Sequence, residues 1–388
     1  MSTDTRPACA LRDVIGSIES LYPRRWAVVG DAVGLIVGEP DMSVERVLFA
    51  VDPVSAVVDE AIDWGADLLV VHHPLLYHPV SAVAADQPKG RVVHDLIRHG
   101  IGLYVAHTNA DTPLQGVSES LALALGLRDL RPLAADPRDP LDKVAVFVPR
   151  PEVDIMINAL TVAGAGALGA YDRCAFVTEG SGTFRPGPGS NPTIGKPGRI
   201  EVVDEARVEM VFPRGNRAAV TAALRAAHSY EEPAFDVFEL AAWDSDRGHG
   251  RIGSLEQPTS LREFSEQVGA ALPATSVGAR VAGDLSRTIR RVAVTAGAGD
   301  FLLDAARASG VDAYVTSDLR HHPASEFLEH TDAPALIDVP HWAAEWTWLP
   351  VAETALHQTW RESGIAVESR VSRICTDPWN YRAGVGVQ

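Results

Sequence analysis

Residues 46–74 read RVLFAVDPVSAVVDEAIDWGADLLVVHHP, and residues 291–319 read RVAVTAGAGDFLLDAARASGVDAYVTSDL. Laid over one another without a gap, they pair Arg46 with Arg291, Gly65 with Gly310 and Asp67 with Asp312, all at the offset 291 − 46 = 245. Each copy runs strand, helix, Gly-x-Asp, strand, which is the pattern of a duplicated α/β unit. Farther on, VAHTNAD ending at Asp111 matches VPHWAAE ending at Glu345 at an offset of 341 − 107 = 234, so one length change separates the copies.

The first copy ends in chemistry. Its apolar run Leu68 to Val71 leads into His72, His73 and Pro74, a buried strand that delivers two imidazoles to its carboxyl end, where open α/β sheets gather ligands. Adjacent histidines on a strand point to opposite faces, so both serve one site only if the strand stops there and the chain turns. Pro74, which biases His73 away from α geometry, agrees with such a stop. At the matching later position each copy places a histidine four residues before a carboxylate: His107 with Asp111, and His341 with Glu345. If VPHWAAEW opens a helix at Pro340, His341 and Glu345 share one face. A site drawn from His72, His73, Asp111, His341 and Glu345 offers three neutral nitrogens and two carboxylates. That set suits two divalent ions such as zinc, iron, manganese or nickel. The second HHP, His321 to Pro323, lies past the aligned strand end and reads as loop or outer support. Trp342, Trp346 and Trp348 read as packing for the last helix.

Between the copies lies an insertion with its own order. Strands are expected at 143–148, 174–178, 199–212 and 235–240, and helices at 153–163 and 217–227. This is the β-α-β-β-α-β succession of the ferredoxin-like fold. The expected division is a first repeat at 1–130, an inserted domain at 131–245 and a second repeat at 246–388. The segment GSGTFRPGPGSNPTIGKPG, 180–198, is too long for a hairpin turn, and loops of that length are functional or mobile.

Composition narrows the partners. With 388 residues, 46% hydrophobic and 22% charged, the chain can build a sizeable core, and a net charge of −17 argues against nucleic acid as the main partner. No basic segment followed by an apolar core opens the sequence and no run of about 18 apolar residues occurs. A cytoplasmic location without a membrane span is therefore expected. Cys9, Cys174 and Cys375 are too dispersed for a zinc or redox motif and receive no role.

HHPLLYHP, AHTNAD, TSDLRHH and DVPHWAAE resemble the signature segments of the NIF-three-like (NGG-interacting factor three-like) family, whose members are also described as GTP cyclohydrolase 1 type 2 homologues. Within the insertion, GAGALGAYDRCAF, GSGTFRPGPGSNPTIG and HSYEEPAFD resemble the CutA/PII-like domain of its longer members. The resemblance implies two α/β repeats in one core with an inserted ferredoxin-like domain, and a toroidal homohexamer with its sites facing an inner cavity. It implies two metal ions held by His72, His73, Asp111, His341 and Glu345, with His107 lining the site. Two positions depart from the family pattern: Asp31-Ala32 stands for Asp-Asn, and Pro340 for a glycine before the final metal histidine. The leading expectation is a metal-dependent hydrolase of a nucleotide such as GTP, with His107 as proton shuttle. The rival is a non-enzymatic metal-binding or regulatory assembly whose insertion senses a small ligand.

Overall fold

The computed structural model describes residues 9–383. The chain forms two compact units: residues up to Asp136 together with those from Asp246 onward, and Pro137–Ser245.

The first unit contains both copies of the repeat, each with its own sheet. In one sheet the strand order is Glu368–Val371, Arg46–Ala50, Leu68–Val71, Gly102–Val105 and Gly34–Val37. In the other it is Arg280–Ala282, Ala335–Asp338, Ala313–Ser317, Thr288–Ala298, Asp244–Ser260 and Arg128–Pro137. Each sheet contains the same succession of three parallel strands bordered by an antiparallel strand beside the third, and the first sheet adds Glu368–Val371 as a fourth, parallel to Arg46–Ala50. The registers repeat too: Val47 faces Leu68 as Val292 faces Ala313, both at the offset 292 − 47 = 313 − 68 = 245. The length change falls between the second and third strands. Leu68 faces Gly102, a step of 34, whereas Ala313 faces Ala335, a step of 22.

The identities that aligned the copies have a physical cause. The Asp67 carboxylate accepts the backbone N–H of Glu45 (2.8 Å) and Arg46 (2.9 Å), and the Asp312 carboxylate accepts those of Arg290 and Arg291 (2.8 Å each). Each aspartate thus ties the start of its second strand to the start of its first. Gly65 and Gly310 follow the helices Ser55–Trp64 and Leu303–Ala308 in left-handed conformation, φ +71° and +66°, where a side chain would be strained. Arg46 and Arg291 each return a guanidinium N–H to the carbonyls at these helix ends.

Leu68–Val71 and Ala313–Ser317 are buried throughout, as central parallel strands covered on both faces must be. One hydrophobic cluster runs from Val47, Phe49 and Val70 of the first sheet to Val292, Val294 and Val315 of the second. It passes through Leu11, Trp348, Leu349, Leu356 and Trp360 of the helices Leu11–Leu21 and Trp348–Glu362. That shared core makes the two repeats a single body. Among the described residues no helix is long and apolar enough to cross a membrane.

The second unit has the strand order Phe235–Glu239, Leu141–Pro149, Glu201–Pro213, Phe176–Phe184, all antiparallel. In chain order this is 4-1-3-2, the ferredoxin-like arrangement. Helices Val153–Val162 and Arg217–Ala227 bury Met156, Leu160, Val220 and Leu224 against Val144, Val146, Val208 and Met210. The strand expected at 174–178 instead runs Phe176–Phe184, because Gly180, Ser181 and Gly182 continue the ladder opposite Glu205, Asp204 and Val203. The second HHP is not a loop: it opens a helix, His321–Leu328, with both histidines exposed.

Candidate metal centre

The Leu68–Val71 strand ends where the sequence suggests, but its neighbour still holds the next two residues. The His72 N–H donates to Ala50 O (3.2 Å) and the His73 N–H to Val51 O (2.9 Å). Both rings therefore start from fixed backbone. The His72 ring hydrogen-bonds Ala106 O through Nδ1 at 2.9 Å, and the His73 ring bonds the Asp52 carboxylate through Nδ1 at 2.7 Å. His107 Nδ1 lies 2.9 Å from both oxygens of Asp31, and His341 Nδ1 lies 2.7 Å from Asp318. In all four rings the partner engages Nδ1 and leaves Nε2 for the site, the arrangement by which an outer carbonyl or carboxylate fixes a ligand histidine's tautomer and aim.

Glu345 comes to these nitrogens from the helix His341–Trp346, which begins directly after Pro340. Its carboxylate is nearly inaccessible: Oε1 lies 2.8 Å from His341 Nε2 and 3.5 Å from His72 Nε2, and Oε2 lies 2.9 Å from His73 Nε2. Oε2 is buried, and apart from this contact with the His73 ring it has no polar partner. Asp111 Oδ1 is 3.6 Å from His72 Nε2. Two groups of donors lie within 4.8 Å of one another, His72 with His73 and His107, and His73 with His341 and Glu345. His73 belongs to both.

All five expected ligands and His107 thus come together, although they are spread over 345 − 72 = 273 positions of sequence. Sequence reasoning passed over the residues that aim them. Asp52 and Asp318 orient His73 and His341, and Asp31 orients His107 while also accepting the Thr108 hydroxyl. The duplication held one further signal: the counterpart of Asp52, at 52 + 245, is Gly297. A Cβ there would lie 2.6 Å from Glu345 Oε1 and 3.5 Å from His341 Nε2, and the residue has φ +76°. One copy carries an orienting carboxylate at this position, and in the other the space a side chain would need is taken by the Glu345 carboxylate.

The electrostatics are those of a site built for cations. Burial depresses His73, but Glu345 and Asp52 outweigh it and lift the ring to about 11. Likewise Glu345 and Asp318 overcome burial at His341 and lift it to about 10. Burial raises Asp111 to about 6, whereas Glu345 is held well below the usual carboxylate range by His73, His341 and His72 against its burial. His107 differs from its neighbours. Burial and the His72 charge push it below the ordinary histidine value despite Asp31.

Two cavities, of about 590 and 630 Å³, meet at His341. The first is lined by His73, Asp318, Arg280 and Trp379, the second by His107, Asp111, Tyr77 and Phe301. Trp348 is buried edge-on against His72 (5.6 Å between centroids) and Tyr22 (5.5 Å), so it packs the site and offers no stacking face. His78 reaches the second cavity beside Tyr77; His99 instead bonds Asp95 O within its own helix.

Residues 9–378 match the family model described as Duf34/NIF3 (NGG1p interacting factor 3). A Mycobacterium leprae protein named GTP cyclohydrolase 1 type 2 homolog is 48% identical over 376 residues, 96% of each chain. A Bacillus subtilis protein of the same name is 38% identical over 317 residues, 82% of this chain and 84% of that one. Among solved structures, a Bacillus cereus protein related to NIF3 superposes with a TM-score of 0.79 at 34% identity, over 97% of this chain and all of the other. A Staphylococcus aureus protein superposes with a TM-score of 0.83 at 27% identity, also over 97% and 100%. Matched from end to end by model, by sequence and by fold, the chain belongs to the Duf34/NIF3 family.

Proposed function

We propose that this protein is a divalent-metal-dependent hydrolase of a nucleotide or related small molecule, with two ions held by His72, His73, Asp111, His341 and Glu345. The observation that carries the reading is the buried Glu345 carboxylate facing only the Nε2 atoms of imidazoles whose Nδ1 atoms are already engaged. Without a metal this buried carboxylate is balanced only by protons on the imidazoles around it, and a divalent cation would take the place of those protons. Nitrogen and carboxylate donors in this proportion fit zinc, iron, manganese or nickel. When bound, such ions supply Lewis acidity and a water acidified toward neutrality.

The chain's own residues supply the rest. His107, anchored by Asp31 and kept mostly neutral by burial and His72, is suited to accept a proton at Nε2 near neutral pH. The second cavity places His107 and Asp111 beside Tyr77 and Phe301, a polar floor with aromatic walls, and both cavities have the size of small-ligand pockets. The nucleotide substrate class rests on the name of the relatives, GTP cyclohydrolase 1 type 2 homolog. The assembly we propose, from the family resemblance, is a homohexamer; native mass spectrometry tests it.

The deciding experiment is a turnover screen of metal-loaded protein against nucleotides and phosphoesters. Turnover that disappears on chelation and in Glu345→Gln supports the reading. Full metal content with no turnover favours the second reading, a non-enzymatic metal-binding regulator with a ligand-sensing insertion. The separate cavity of the Pro137–Ser245 unit favours that alternative. Metal content near zero refutes both.

A further inference from the structure

The Pro137–Ser245 unit encloses a cavity of about 360 Å³ whose chemistry is unlike that of the metal centre. Its walls include the rings of Phe147, Phe184 and Tyr230 and the carboxylates of Glu205, Glu231 and Glu232, and no Lys, Arg or His lines it. The Pro/Gly-rich segment after Phe184 folds over it. The Asn191 N–H donates to Glu231 (2.9 Å), the Thr193 hydroxyl to Ser229 O, and the Gly198 N–H to Pro186 O (2.8 Å).

Glu205 is the informative residue. It lies within the strand Glu201–Pro213 and is only 9% exposed, yet no cationic side chain pairs with it. Its one hydrogen bond is from the Tyr230 hydroxyl to Oε1 at 2.9 Å. His228, next to Tyr230, cannot serve as counter-charge. Its Nδ1 accepts the Tyr230 N–H (3.0 Å) and its Nε2 donates to Phe147 O (2.8 Å), so both ring nitrogens are engaged by backbone and neither faces Glu205. Room for the carboxylate is kept by Gly182 on the neighbouring strand, where a Cβ would sit 1.9 Å from Glu205 Oε2. Gly182 has no left-handed backbone to justify a glycine, so the missing side chain is what the position requires.

A buried carboxylate without a counter-charge, with aromatic rings beside it, attracts a cation. Phe184 and Tyr230 stand with centroids 5.8 Å apart at 56°, two walls of one corner. A bare metal ion is the wrong guest. Among the described residues, the groups of three His, Cys, Asp or Glu donors within 4.8 Å are those of the metal centre, and none lies here. A nucleotide is excluded by like charge. We propose that this cavity binds a small organic cation, an alkylammonium or quaternary ammonium compound, with Glu205 as counter-charge and Phe184 and Tyr230 as ring walls.

Calorimetric titration of the full-length protein with tetramethylammonium, n-butylammonium and the uncharged tert-butanol tests this. The expected result is saturable binding of at least one ammonium compound and none of the alcohol. Glu205→Gln and Gly182→Ala should each weaken binding roughly tenfold or more, with wild-type circular dichroism. Should Glu205→Gln or Gly182→Ala fail to fold, Phe184→Leu leaves the carboxylate in place and should still weaken binding by removing a wall. The proposal is overturned if neither ammonium compound binds saturably at millimolar concentration, if tert-butanol binds as well, or if binding survives unchanged in Glu205→Gln or Phe184→Leu.

Discussion

Replacing Gly297 with alanine removes no donor atom, yet it should strip metal from the protein. The new Cβ would stand 2.6 Å from Glu345 Oε1, so the carboxylate must retreat by about 0.8 Å to reach ordinary contact near 3.4 Å. It has nowhere to go, because Trp342, Ala343, Ala344 and Glu345 of its helix are all buried. Metal–ligand distances tolerate only about 0.2 Å, so affinity should fall roughly 10- to 100-fold. Stability suffers separately: about 1–2 kcal/mol for an L-residue in the left-handed region and about 1–3 kcal/mol for overpacking, about 2–5 kcal/mol together. Gly310→Ala is the control. It carries a similar φ, +66°, but meets nothing closer than Arg291 Nη1 at 4.0 Å, so it isolates the backbone cost. Elemental analysis after dialysis against buffered zinc, with melting temperatures of both variants, reads the difference. If Gly297→Ala keeps wild-type metal and melts no lower than Gly310→Ala, the cradle argument is wrong.

Three further outcomes are expected. His107→Gln should keep metal near wild-type content while lowering turnover, whereas His341→Ala should lose metal; an equal loss in both would make His107 a ligand. In the metal-free protein, His73 and His341 are raised above the unfolded value near 6.5. Their contribution to stability is complete below about pH 6.5 and is lost as pH rises toward about 10 for His341 and about 11 for His73. Melts of metal-free protein should therefore fall across that window while the stabilisation by added zinc grows with pH, and a flat difference would contradict it. Excising residues 137–245 and joining Asp136 to Asp246 through a short turn should leave a cooperative melt, since the ends are already close enough for Arg247 to reach Asp136 at 3.7 Å. Loss of the transition would show that the insertion supports the core.

The duplicated fold was readable because its markers are forced. Asp67 and Asp312 must cap strand starts, and Gly65 and Gly310 must turn left-handed after helices, so the sequence has little freedom there. The donors were readable because His-His at a strand end and His-x-x-x-acid at a helix start are uncommon side-chain patterns. Their supports were not. An aspartate after a strand, such as Asp52 or Asp318, has no local mark that it will meet a particular ring; that depends on how neighbouring strands align. Gly182 misled in the opposite sense: in sequence it belongs to the long loop 180–198, and in the fold it is a strand residue kept small for the carboxylate across the ladder.

The split of donors between the copies has a consequence in time. His72, His73 and His107 all lie in the first repeat, while His341 and Glu345 come from the last. During synthesis the first group is complete before the insertion has been made, and the second waits until nearly the whole chain has emerged. A truncated product would display imidazoles without the Glu345 carboxylate, able to hold an ion weakly but not to keep it. Retention of metal through dialysis would then report that a chain was finished, and not merely that its first half had folded.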